Sequence, residues 1–457
     1  MWSAGGILAT TLVVLTAVGA VPLDINDDDS IKKAAATVAK GMMNYYKGNL
    51  PGQTPGEIEG YYWWEVGGMM GALIDYWYYT GDTQYNDAVI QAIPWQATPN
   101  SDFMPANQTS SEANDDQAFW AFTALSAAEL GFPNPPASQP QYIAAAQGAF
   151  NTMVARWDNT TCNGGLHWQF NEFHSGYNYK SSIANGGLFT IGARLWAYTQ
   201  NETYYDWANK VYDWLDSVGA IGPDGQIFDG VDSASDCKGK VYTQWTYNAG
   251  VFLHGAAAMY AHTTGAEQDK WRARIELILN QALSKFFEDP QNKTMAEMAC
   301  EHNKPGQGYC DADQLSFKTY LGRSFGFIAL LAPWTYNLTA PYLQVTAQSA
   351  AQSCSGGSDG VTCGTKWWVD GWDGEWGLGQ QMCALEVILP NLVSNVKAPF
   401  TEFDGGTSKG NATAGTGGSK TVFKYTSVIS TGDRVGAGAI TGLILIGVVS
   451  GAWWLMI

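Results

Sequence analysis

The chain contains six stretches that are apolar on nearly every side, spaced roughly 60 residues apart. Small residues and aromatic residues dominate each of them, as in the run from Trp245 to Phe252. This composition is typical of a helix that is buried all round, and its Gly and Ala residues allow neighbouring backbones to approach closely. The stretches begin near Trp64, Asp116, Ile183, Gln244, Ser316 and Trp376.

More amphipathic stretches lie between these apolar ones. In Asn201–Ser217 apolar residues recur at helical spacing with charged residues between them, and Gln141–Trp157 and Glu267–Phe287 show the same pattern. Few stretches alternate with the period of two that a strand needs. Six buried helices alternating with six amphipathic ones predict an all-α fold, an (α/α)6 toroid barrel. The loops at one end of its inner helices are then expected to form a cleft.

Residues 1–20 carry the features of a secretory signal peptide. The run from Ile7 to Val18 is apolar, and small residues follow it as far as Ala20. Lys and Arg are absent before this run, which departs from the usual signal pattern, and an N-terminal membrane anchor is the alternative. The acidic run Asp24–Asp29 comes next, and carboxylates at this point favour the start of a helix because they match the positive end of its dipole.

The C-terminal end carries a second sorting pattern. Residues Val435–Ile457 contain no charged side chain, and no basic residues follow them as they would follow a transmembrane helix. This pattern favours a removable hydrophobic tail for a glycosylphosphatidylinositol (GPI) anchor, with a membrane span as the alternative. The preceding segment, 401–434, is predicted to be a linker that contains the attachment region. It is rich in Gly, Ser and Thr up to Ser419, and small residues suited to attachment lie at Gly417–Ser419 and Ser430–Gly432.

The remaining residues, 21–400, are predicted to form one helical domain with few charged side chains. Lys and Arg total 24 against 42 Asp and Glu, which gives a net charge of −18. Nucleic acid and anionic lipid are therefore unfavourable partners, because their phosphates would be repelled, whereas a neutral polysaccharide is compatible. The sequence has no phosphate loop and no dinucleotide fingerprint, and its five His form no metal motif. No cofactor and no metal are expected.

Glycosylation sequons agree with passage through a secretory pathway. Any one Asn-x-Ser/Thr sequon is a weak signal, but six of them spread along a chain with both terminal signals are stronger. They begin at Asn107, Asn159, Asn201, Asn292, Asn337 and Asn411.

The seven cysteines favour disulfides, because a secreted chain matures in an oxidising compartment. Pairing by proximity joins Cys300 to Cys310 and Cys354 to Cys363. Cys162 and Cys237 then pair at long range, although six cysteines allow 15 connectivities and this one is only the simplest. Cys383, within an apolar helical stretch, is expected to be a buried free thiol.

Two adjacent aspartates, Asp115 and Asp116, lie where the second buried helix begins. Glycoside cleavage uses two carboxyl groups, one that attacks or stabilises and one that donates a proton. Neighbouring residues diverge by about 100° on a regular helix, but at a junction between a loop and a helix both can face one cleft. Asp at a helix start is also favoured for capping alone. Spacing alone therefore leaves capping and catalysis both open.

Other polar and aromatic side chains lie just before or at the start of the predicted inner helices, where a toroid places its cleft. Aromatic rings there can stack on sugar faces, although core packing is the more general role of a Trp. Each polar residue, taken alone, more often belongs to a turn or a cap. The candidate substrate-binding residues are Trp63, Trp64, Gln117, His167, Trp168, Lys180, Asn185, Asp229, Tyr247, Asn248, Asp313, Lys318 and Arg323.

Seven short motifs are distinctive in combination. They are Trp63-Trp64-Glu65 with Gly67-Gly68, Asn114-Asp115-Asp116-Gln117, Gly164-Gly165-Leu166, Ile183-Ala184-Asn185-Gly186, Thr246-Tyr247-Asn248, Leu315-Ser316-Phe317-Lys318 and Gly379-Gln380-Gln381. With them the chain resembles the family-76 glycoside hydrolases, the endo-1,6-α-mannanases, and above all their fungal GPI-anchored members that act on the cell wall. The resemblance covers about residues 24 to 396 and extends to the terminal signals.

The resemblance implies an (α/α)6 barrel and a retaining glycosidase. It assigns Asp115 as the nucleophile and Asp116 as the general acid/base. The implied donor is an α-1,6-mannan or the glycan of a GPI anchor. Water as the acceptor gives a mannanase, whereas a β-glucan hydroxyl gives a transglycosidase that moves GPI-anchored mannoproteins onto wall glucan. The expected location is secreted, at the outer face of the plasma membrane through a GPI anchor, and in the cell wall.

Two other functional classes stay open. A lectin-like mannan-binding wall protein would keep its sugar contacts and tolerate Asp115→Asn. A structural wall protein would need long Ser/Thr-rich stalks, whereas low complexity here is confined to the short segment before the tail. Cys383 stands where the resemblance leads us to expect a small residue such as Ser, which affects cysteine pairing rather than catalysis.

Overall fold

The structure is a computed structural model that describes residues 19–287, 292–301 and 309–417, together with residues 441 and 445. The chain divides into two units, Met1–Gly418 and Ser419–Ile457. The first unit contains all the helices and strands that are described below.

Twelve helices of the described residues alternate between an inner and an outer layer. Each inner helix packs against the next inner helix, and the last packs against the first, which closes the ring. The inner helices are α2 (Trp63–Thr80), α4 (Asn114–Glu129), α6 (Ser182–Thr199), α8 (Thr246–His262), α10 (Lys318–Leu331) and α12 (Leu378–Ile388). The outer helices are α1 (Asp28–Met43), α3 (Asn86–Ala97), α5 (Tyr142–Ala155), α7 (Glu202–Ser217), α9 (Gly265–Phe286) and α11 (Tyr336–Ser353). The predicted all-α (α/α)6 toroid is confirmed.

The inner helices begin within about two residues of the predicted positions, because their apolar residues are buried on all sides as the pattern requires. Glycine allows the closest approach between neighbouring helices. A Cβ atom on Gly250 of α8 would lie 2.3 Å from the carbonyl oxygen of Tyr320 on α10, so no other residue fits there without a shift of the backbone. At the chain start, α1 follows the acidic run, and the Asp27 side chain accepts a hydrogen bond from the N–H of Asp29.

A small antiparallel sheet lies at the end of the barrel where the inner helices begin. Its strands are β1 (Tyr179–Ser181), β2 (Gly230–Asp232) and β3 (Gly239–Val241), in that spatial order, with Lys180 opposite Val231 and Val231 opposite Lys240. Strand β1 runs directly into α6. The sheet therefore fixes the connections that enter α6 and α8.

Three disulfides tie the connections of the barrel. The structure has the predicted pairing, Cys162 with Cys237, Cys300 with Cys310, and Cys354 with Cys363. Cys383 is a buried free thiol, also as predicted. The six sequon asparagines are all exposed, as glycosylation requires.

The segment that follows α12 returns to the outside of the barrel, and we name residues 397–417 the C-terminal strap. It first meets the ends of α4 and α6, at the base of the barrel, and then follows α5 toward the end where the cleft lies. Backbone and side-chain hydrogen bonds hold it along the whole path. They join Phe400 to Glu129, Glu402 to Tyr198, Thr407 to Asn134, Ser408 to Ile143, Asn411 to Gln147, Ala412 and Ala414 to Asn151, and Gly415 to Asn100.

The strap differs from the linker that was predicted from residue 401 onward. Residues 401–417 lie against the helical domain, with Ser408 and Ala414 buried. A composition rich in Gly, Ser and Thr fits this role as well, because small side chains let the backbone approach the surface of α5 and bond to it directly. The helical domain therefore includes residues 401–417 and does not end at residue 400.

The predicted terminal signals fall outside these observations. The first 18 residues of the predicted signal peptide, and the predicted tail at 435–457 except for residues 441 and 445, lie outside the described residues. Within the described residues, no helix combines the length and the apolarity needed to cross a bilayer.

The strap contributes to the stability of the barrel. We expect a chain that ends before Thr401 to melt several degrees below a chain that ends at Gly417. The shorter chain loses the hydrogen bonds along α5, each of which contributes about 1 kcal/mol to the free energy of unfolding before the entropy of ordering the strap is subtracted. Thermal unfolding followed by circular dichroism measures the difference, and equal melting temperatures of the two chains would contradict it.

Candidate active site

One cavity of about 680 Å³ opens at the end of the barrel where the inner helices begin. Its wall is built from the first residues of the inner helices and from the connections that precede them. The structure brings eight of the predicted site residues together in this wall. They are Trp63, Trp64, Asp115, Asp116, Trp168, Asp229, Tyr247 and Asp313.

Asp115 and Asp116 occupy the second and third positions of α4, and both face the cavity. The Asp116 Oδ2 atom accepts a hydrogen bond of 2.6 Å from the N–H of Ala113, so this carboxyl does cap the helix. The Asp115 Oδ2 atom accepts one of 2.9 Å from the indole Nε1 of Trp168. Trp168 is held there because its carbonyl oxygen accepts the N–H of Asn114 at 3.1 Å. Capping and exposure to the cavity therefore coexist in this pair.

The two carboxyl groups differ in the ease with which they ionise. Burial raises the pKa of Asp115 to about 7, although the hydrogen bond from Trp168 favours its ionised form. Burial and then the neighbouring charge of Asp115 raise the pKa of Asp116 well above its ordinary value. Because two adjacent anions repel each other, the last proton of the pair stays bound around neutral pH. The pair can therefore present one carboxylate and one carboxylic acid at the same time.

Aromatic rings form the walls beside this pair. Trp64 packs on Phe119 with ring centroids 4.5 Å apart, and Tyr247 stacks on Phe317 at 3.7 Å and 6°. Flat apolar walls of this kind suit the faces of sugar rings and exclude water from the carboxyl groups. Tyr62, also in the wall, is about half exposed.

Two further carboxyl groups face the cavity from the other side. Asp313 accepts a hydrogen bond of 3.0 Å from Trp64 Nε1, and Asp229 accepts one from the hydroxyl of Tyr179. Burial raises the pKa of both. Hydroxyl-rich ligands bind to groups of this type, which accept hydrogen bonds when ionised and donate them when protonated. No three His, Cys, Asp or Glu side chains of the described residues are placed to hold a metal ion.

Several residues of the wall were not among the predicted site residues, and two of them, Tyr179 and Glu112, bear on the chemistry of the site. Tyr179 lies in β1, and its hydroxyl donates a hydrogen bond to Asp229. The small sheet places Tyr179 in the wall, and the sequence did not predict this sheet. Glu112 lies only three residues before Asp115, and it is buried in the wall. A carboxylate that immediately precedes the start of a buried helix is a signal that could have identified it.

Seven of the predicted substrate-binding residues do not line the cavity. Two of them, His167 and Lys180, bind instead to Asp158, at 3.2 Å and 2.9 Å. Lys180 also donates to the carbonyl oxygen of Gly164 at 2.6 Å. These contacts fold the connection between α5 and α6 on itself. Their role in the structure is to support the Trp168 segment, in place of the predicted contact with substrate.

Three more of the seven brace the starts of helices. Gln117 donates to the carbonyl oxygen of Asp102 at 2.5 Å, and Asn185 accepts from the N–H of Leu166 at 2.7 Å. Lys318 pairs with Glu301 at 2.7 Å. All three side chains are buried, because at these positions the helix surface faces a neighbouring element and not the cavity.

The last two, Asn248 and Arg323, lie inside the barrel. Asn248 is fully buried. Arg323 belongs to a layer of ionisable side chains on the barrel axis, which we name the axial layer. Each inner helix contributes one member. They are Asp75, Glu129, Arg194, His254, Arg323 and Glu386.

Ion pairs join five of the six members of the axial layer, all except His254. Arg323 lies 2.8 Å from Asp75 and 2.7 Å from Glu386, and Arg194 lies 2.8 Å from Glu129. Burial raises the pKa of Asp75, although Arg323 acts in the opposite direction. The structure places Arg323, a predicted substrate-binding residue, away from the cavity, because the helix carries this side chain more than a turn past the cavity and into the core.

Comparisons with known proteins converge on one family. A family model described as glycosyl hydrolase family 76 matches residues 30–402. The mannan endo-1,6-alpha-mannosidase DCW1 of Saccharomyces cerevisiae is 44% identical over 440 residues, 96% of this chain and 95% of that protein. DCW1 of Eremothecium gossypii is 43% identical over 98% of both chains.

Solved structures agree with these matches. Dfg5 from Chaetomium thermophilum, in complex with glucosamine, superimposes with a TM-score of 0.81 and 39% identity over 86% of this chain and 97% of its own. The α-1,6-mannanase GH76A of a Salegentibacter species, as an inactive variant in complex with alpha-1,6-mannotriose, gives a TM-score of 0.61 over 79% of this chain and 99% of its own. At 20% identity, this second likeness shows the fold alone.

The axial layer is expected to be structural. Arg323→Met removes the cation between Asp75 and Glu386, and we expect it to lower the free energy of unfolding by about 3–5 kcal/mol. Both acids then favour protonation more strongly than they do in the folded wild type, where burial already raises their pKa values. The deficit should therefore grow as the pH rises above the folded-state pKa values of the wild-type acids, because only the variant still binds the protons there. Urea unfolding at several pH values measures it. Lys238→Met is the control. It removes the exposed ion pair between Lys238 and Asp236, whose charged atoms lie 3.7 Å apart, and it should change the free energy of unfolding by less than about 1 kcal/mol. A deficit that is equally small for Arg323→Met would contradict the assignment.

Proposed function

The chain belongs to glycosyl hydrolase family 76 and is a glycoside hydrolase, and from this premise we propose that it is a retaining mannan endo-1,6-α-mannosidase or transglycosidase. Its nucleophile is Asp115 and its general acid/base is Asp116. The observation that carries the proposal is this pair in one cavity wall, with one carboxyl able to ionise near neutral pH and the other held protonated.

The first step forms a mannosyl-enzyme ester. The ionised Asp115 attacks the anomeric carbon, and the bond from this carbon to the glycosidic oxygen breaks. The proton of Asp116 passes to the leaving oxygen. Asp115 then carries the sugar, and Asp116 is left as a carboxylate. The neutralisation of Asp115 removes the repulsion that had kept the proton on Asp116, so its pKa falls as the step proceeds.

The second step uses the same groups in reverse. Asp116 takes the proton of an acceptor hydroxyl, whose oxygen attacks the anomeric carbon and displaces Asp115. Water as the acceptor completes hydrolysis, and a sugar hydroxyl completes transglycosylation. Both outcomes preserve the configuration of the anomeric carbon, because each step inverts it once.

An α-1,6-mannan, or the mannose-containing glycan of a GPI anchor, is the proposed donor. Curated relatives that match nearly the whole chain carry the name mannan endo-1,6-alpha-mannosidase, which supports this substrate class. The uncharged aromatic walls suit a neutral glycan, and the net charge of −18 disfavours anionic ones.

A β-glucan of the cell wall is the proposed acceptor, which makes the protein a transferase of GPI-anchored mannoproteins in fungal wall biogenesis. Exposed aromatic side chains on the connections that enter the inner helices support an extended acceptor. Phe173, Tyr242, Tyr309 and Trp376 are each more than 60% exposed at the end of the barrel that holds the cavity. Such rings stack on successive sugars of a polysaccharide, whereas water needs none of them.

The protein is proposed to act outside the cell, at the outer face of the plasma membrane through a GPI anchor and in the wall. The exposed sequons and the three disulfides suit this location. A tethered enzyme near a GPI-linked donor also gains effective concentration.

Substitution of each aspartate separates the two roles. Asp115→Asn and Asp116→Asn are each expected to lower turnover of an α-1,6-mannan oligosaccharide by about 100-fold or more. With a dinitrophenyl α-mannoside, whose leaving group needs no proton, Asp116→Asn should still form the ester and accumulate it. Asp115→Asn should not. Intact mass spectrometry detects the mannosyl-enzyme.

The same preparation decides the acceptor. With a β-glucan oligosaccharide present, products of higher mass that both variants lose would establish transfer, and shortened mannan alone would establish hydrolysis. Mannan binding without turnover, unchanged in both variants, would replace the enzyme proposal with a lectin-like protein.

The pH profile tests the ionisation of Asp115. Activity should rise as the pH increases through the pKa of Asp115, near 7, because the nucleophile must be ionised. Trp168→Phe removes a hydrogen bond that stabilises the ionised form, so this rising limb of kcat/KM should move to higher pH. Trp245→Phe, in the same wall but not bonded to the pair, is the control and should leave the limb in place. An unchanged limb in Trp168→Phe would count against Asp115 as the nucleophile.

A further inference from the structure

Glu112 is a carboxyl group of the cavity wall that the mechanism above does not use. Its side chain is only 4% exposed, yet it lines the same cavity as Asp116. Both of its carboxyl oxygens are buried and bond to no described residue. Its backbone is fixed, because its N–H donates to the carbonyl oxygen of Gln108 at 3.0 Å. A buried carboxyl without a partner is costly, and such groups concentrate at functional sites.

The charges around Glu112 explain why it stays protonated. Burial and then Asp116 raise its pKa well above the ordinary value, Arg156 acts in the opposite direction, and Asp102 raises the pKa further. The guanidinium of Arg156 is already committed, since it donates to Asn114 Oδ1 at 2.8 Å and to Gln117. A single cation therefore lies near several carboxyl groups, and the carboxyl groups that it does not balance must be neutralised by protons.

We propose that Glu112 is a positioning residue for the acid/base, and that its protonated carboxyl donates a hydrogen bond to Asp116 whenever Asp116 is ionised. The inference rests on the proposed function. The N–H of Ala113 occupies one lone pair of Asp116 Oδ2. A second donor on the same oxygen leaves Oδ1 free for the leaving-group oxygen, because a carboxylate accepts up to four hydrogen bonds.

Glu112 keeps its own proton throughout. In the first step Asp116 transfers its proton to the leaving oxygen, and the hydrogen bond from Glu112 stabilises the carboxylate that forms. In the second step Asp116 takes the proton of the acceptor, and Glu112 returns to its starting state. The hydrogen bond makes Asp116 a stronger acid at the moment when the leaving group needs a proton.

Two variants and two substrates test the proposal. Glu112→Leu removes the donor, whereas Glu112→Gln keeps a neutral donor of nearly the same shape. With an α-1,6-mannan oligosaccharide, Glu112→Leu should lower kcat by about 10–100-fold, and Glu112→Gln should restore most of it. Ester formation from the dinitrophenyl mannoside, which needs no proton, should be nearly unaffected in both. A merely structural defect would slow both substrates alike.

The falling limb of the pH profile gives an independent readout. The protonated Asp116 is required, so activity falls as the pH rises through its pKa. If Glu112 donates to the ionised Asp116, Glu112→Leu raises that pKa and moves the limb to higher pH, whereas Glu112→Gln leaves it in place. If Glu112 were instead ionised, its removal would lower the pKa of Asp116 and move the limb to lower pH. This opposite shift would overturn the proposal.

Asp102→Asn is the matched control. Asp102 is equally buried and acts on the same Arg156, but it does not line the cavity. Asp102→Asn should leave the ratio of the rates with the mannan oligosaccharide and the dinitrophenyl mannoside unchanged. If Glu112→Leu shows wild-type kinetics, or loses activity equally with both substrates, the proposed role of Glu112 is wrong, while the proposed function is unaffected. Activity that persists in Asp115→Asn and Asp116→Asn would instead sink the proposed function, so the two failures are distinct.

Discussion

The arrangement of the barrel depends on the cost of holding carboxyl groups inside an apolar toroid. A buried ionised carboxylate without a partner costs several kcal/mol, and it must gain either a cation or a proton. The axial layer relies mainly on cations, since Arg194 pairs with Glu129 and Arg323 pairs with both Asp75 and Glu386. Two cations balance only two ionised acids, and burial raises the pKa of Glu386 well above its ordinary value, so the third acid keeps a proton. The cavity uses protons, because Arg156 is the only cation close to its carboxyl cluster among the described residues and is engaged elsewhere. The cost of burying a carboxylate thus leads to ion pairs that stabilise the core in the axial layer and to protonated carboxyl groups in the cavity.

The N-terminal ends of the inner helices determine where this chemistry occurs. An N–H that has no partner within the helix stabilises a carboxylate at the first turn, as Ala113 does for Asp116. The aromatic walls act in the opposite direction, because burial favours the neutral form. The two effects together hold the pair between its ionised and neutral states. A carboxyl pair in water would lose both protons well below neutral pH, and a pair in a fully apolar pocket would keep both.

The sequence predicted the helices well because burial on all sides leaves an unambiguous composition. It predicted the site less evenly. Asp115, at the start of an inner helix, reaches the cavity. Lys318 is also the first residue of an inner helix, yet its side chain faces a neighbouring element, and Arg323 on the same helix faces the core. The direction of a side chain depends on tertiary packing that spacing cannot fix. The strap shows the same limit, because a composition of Gly, Ser and Thr suits both a free linker and a backbone docked on α5.

Competition between water and sugar for the ester is a question of geometry rather than of chemistry, because both acceptors offer a hydroxyl to the same base. A sugar held against the walls competes with water when its effective molarity exceeds the concentration of water, and well-oriented groups reach effective molarities of about 10⁵–10⁸ M. Tyr247 stacked on Phe317 and Trp64 packed on Phe119 provide rigid surfaces for such an acceptor. In the proposed mechanism, the walls that raise the pKa of the carboxyl pair by excluding water would also favour transfer to a second sugar, so the acidity of the site and its choice of acceptor would share one physical origin.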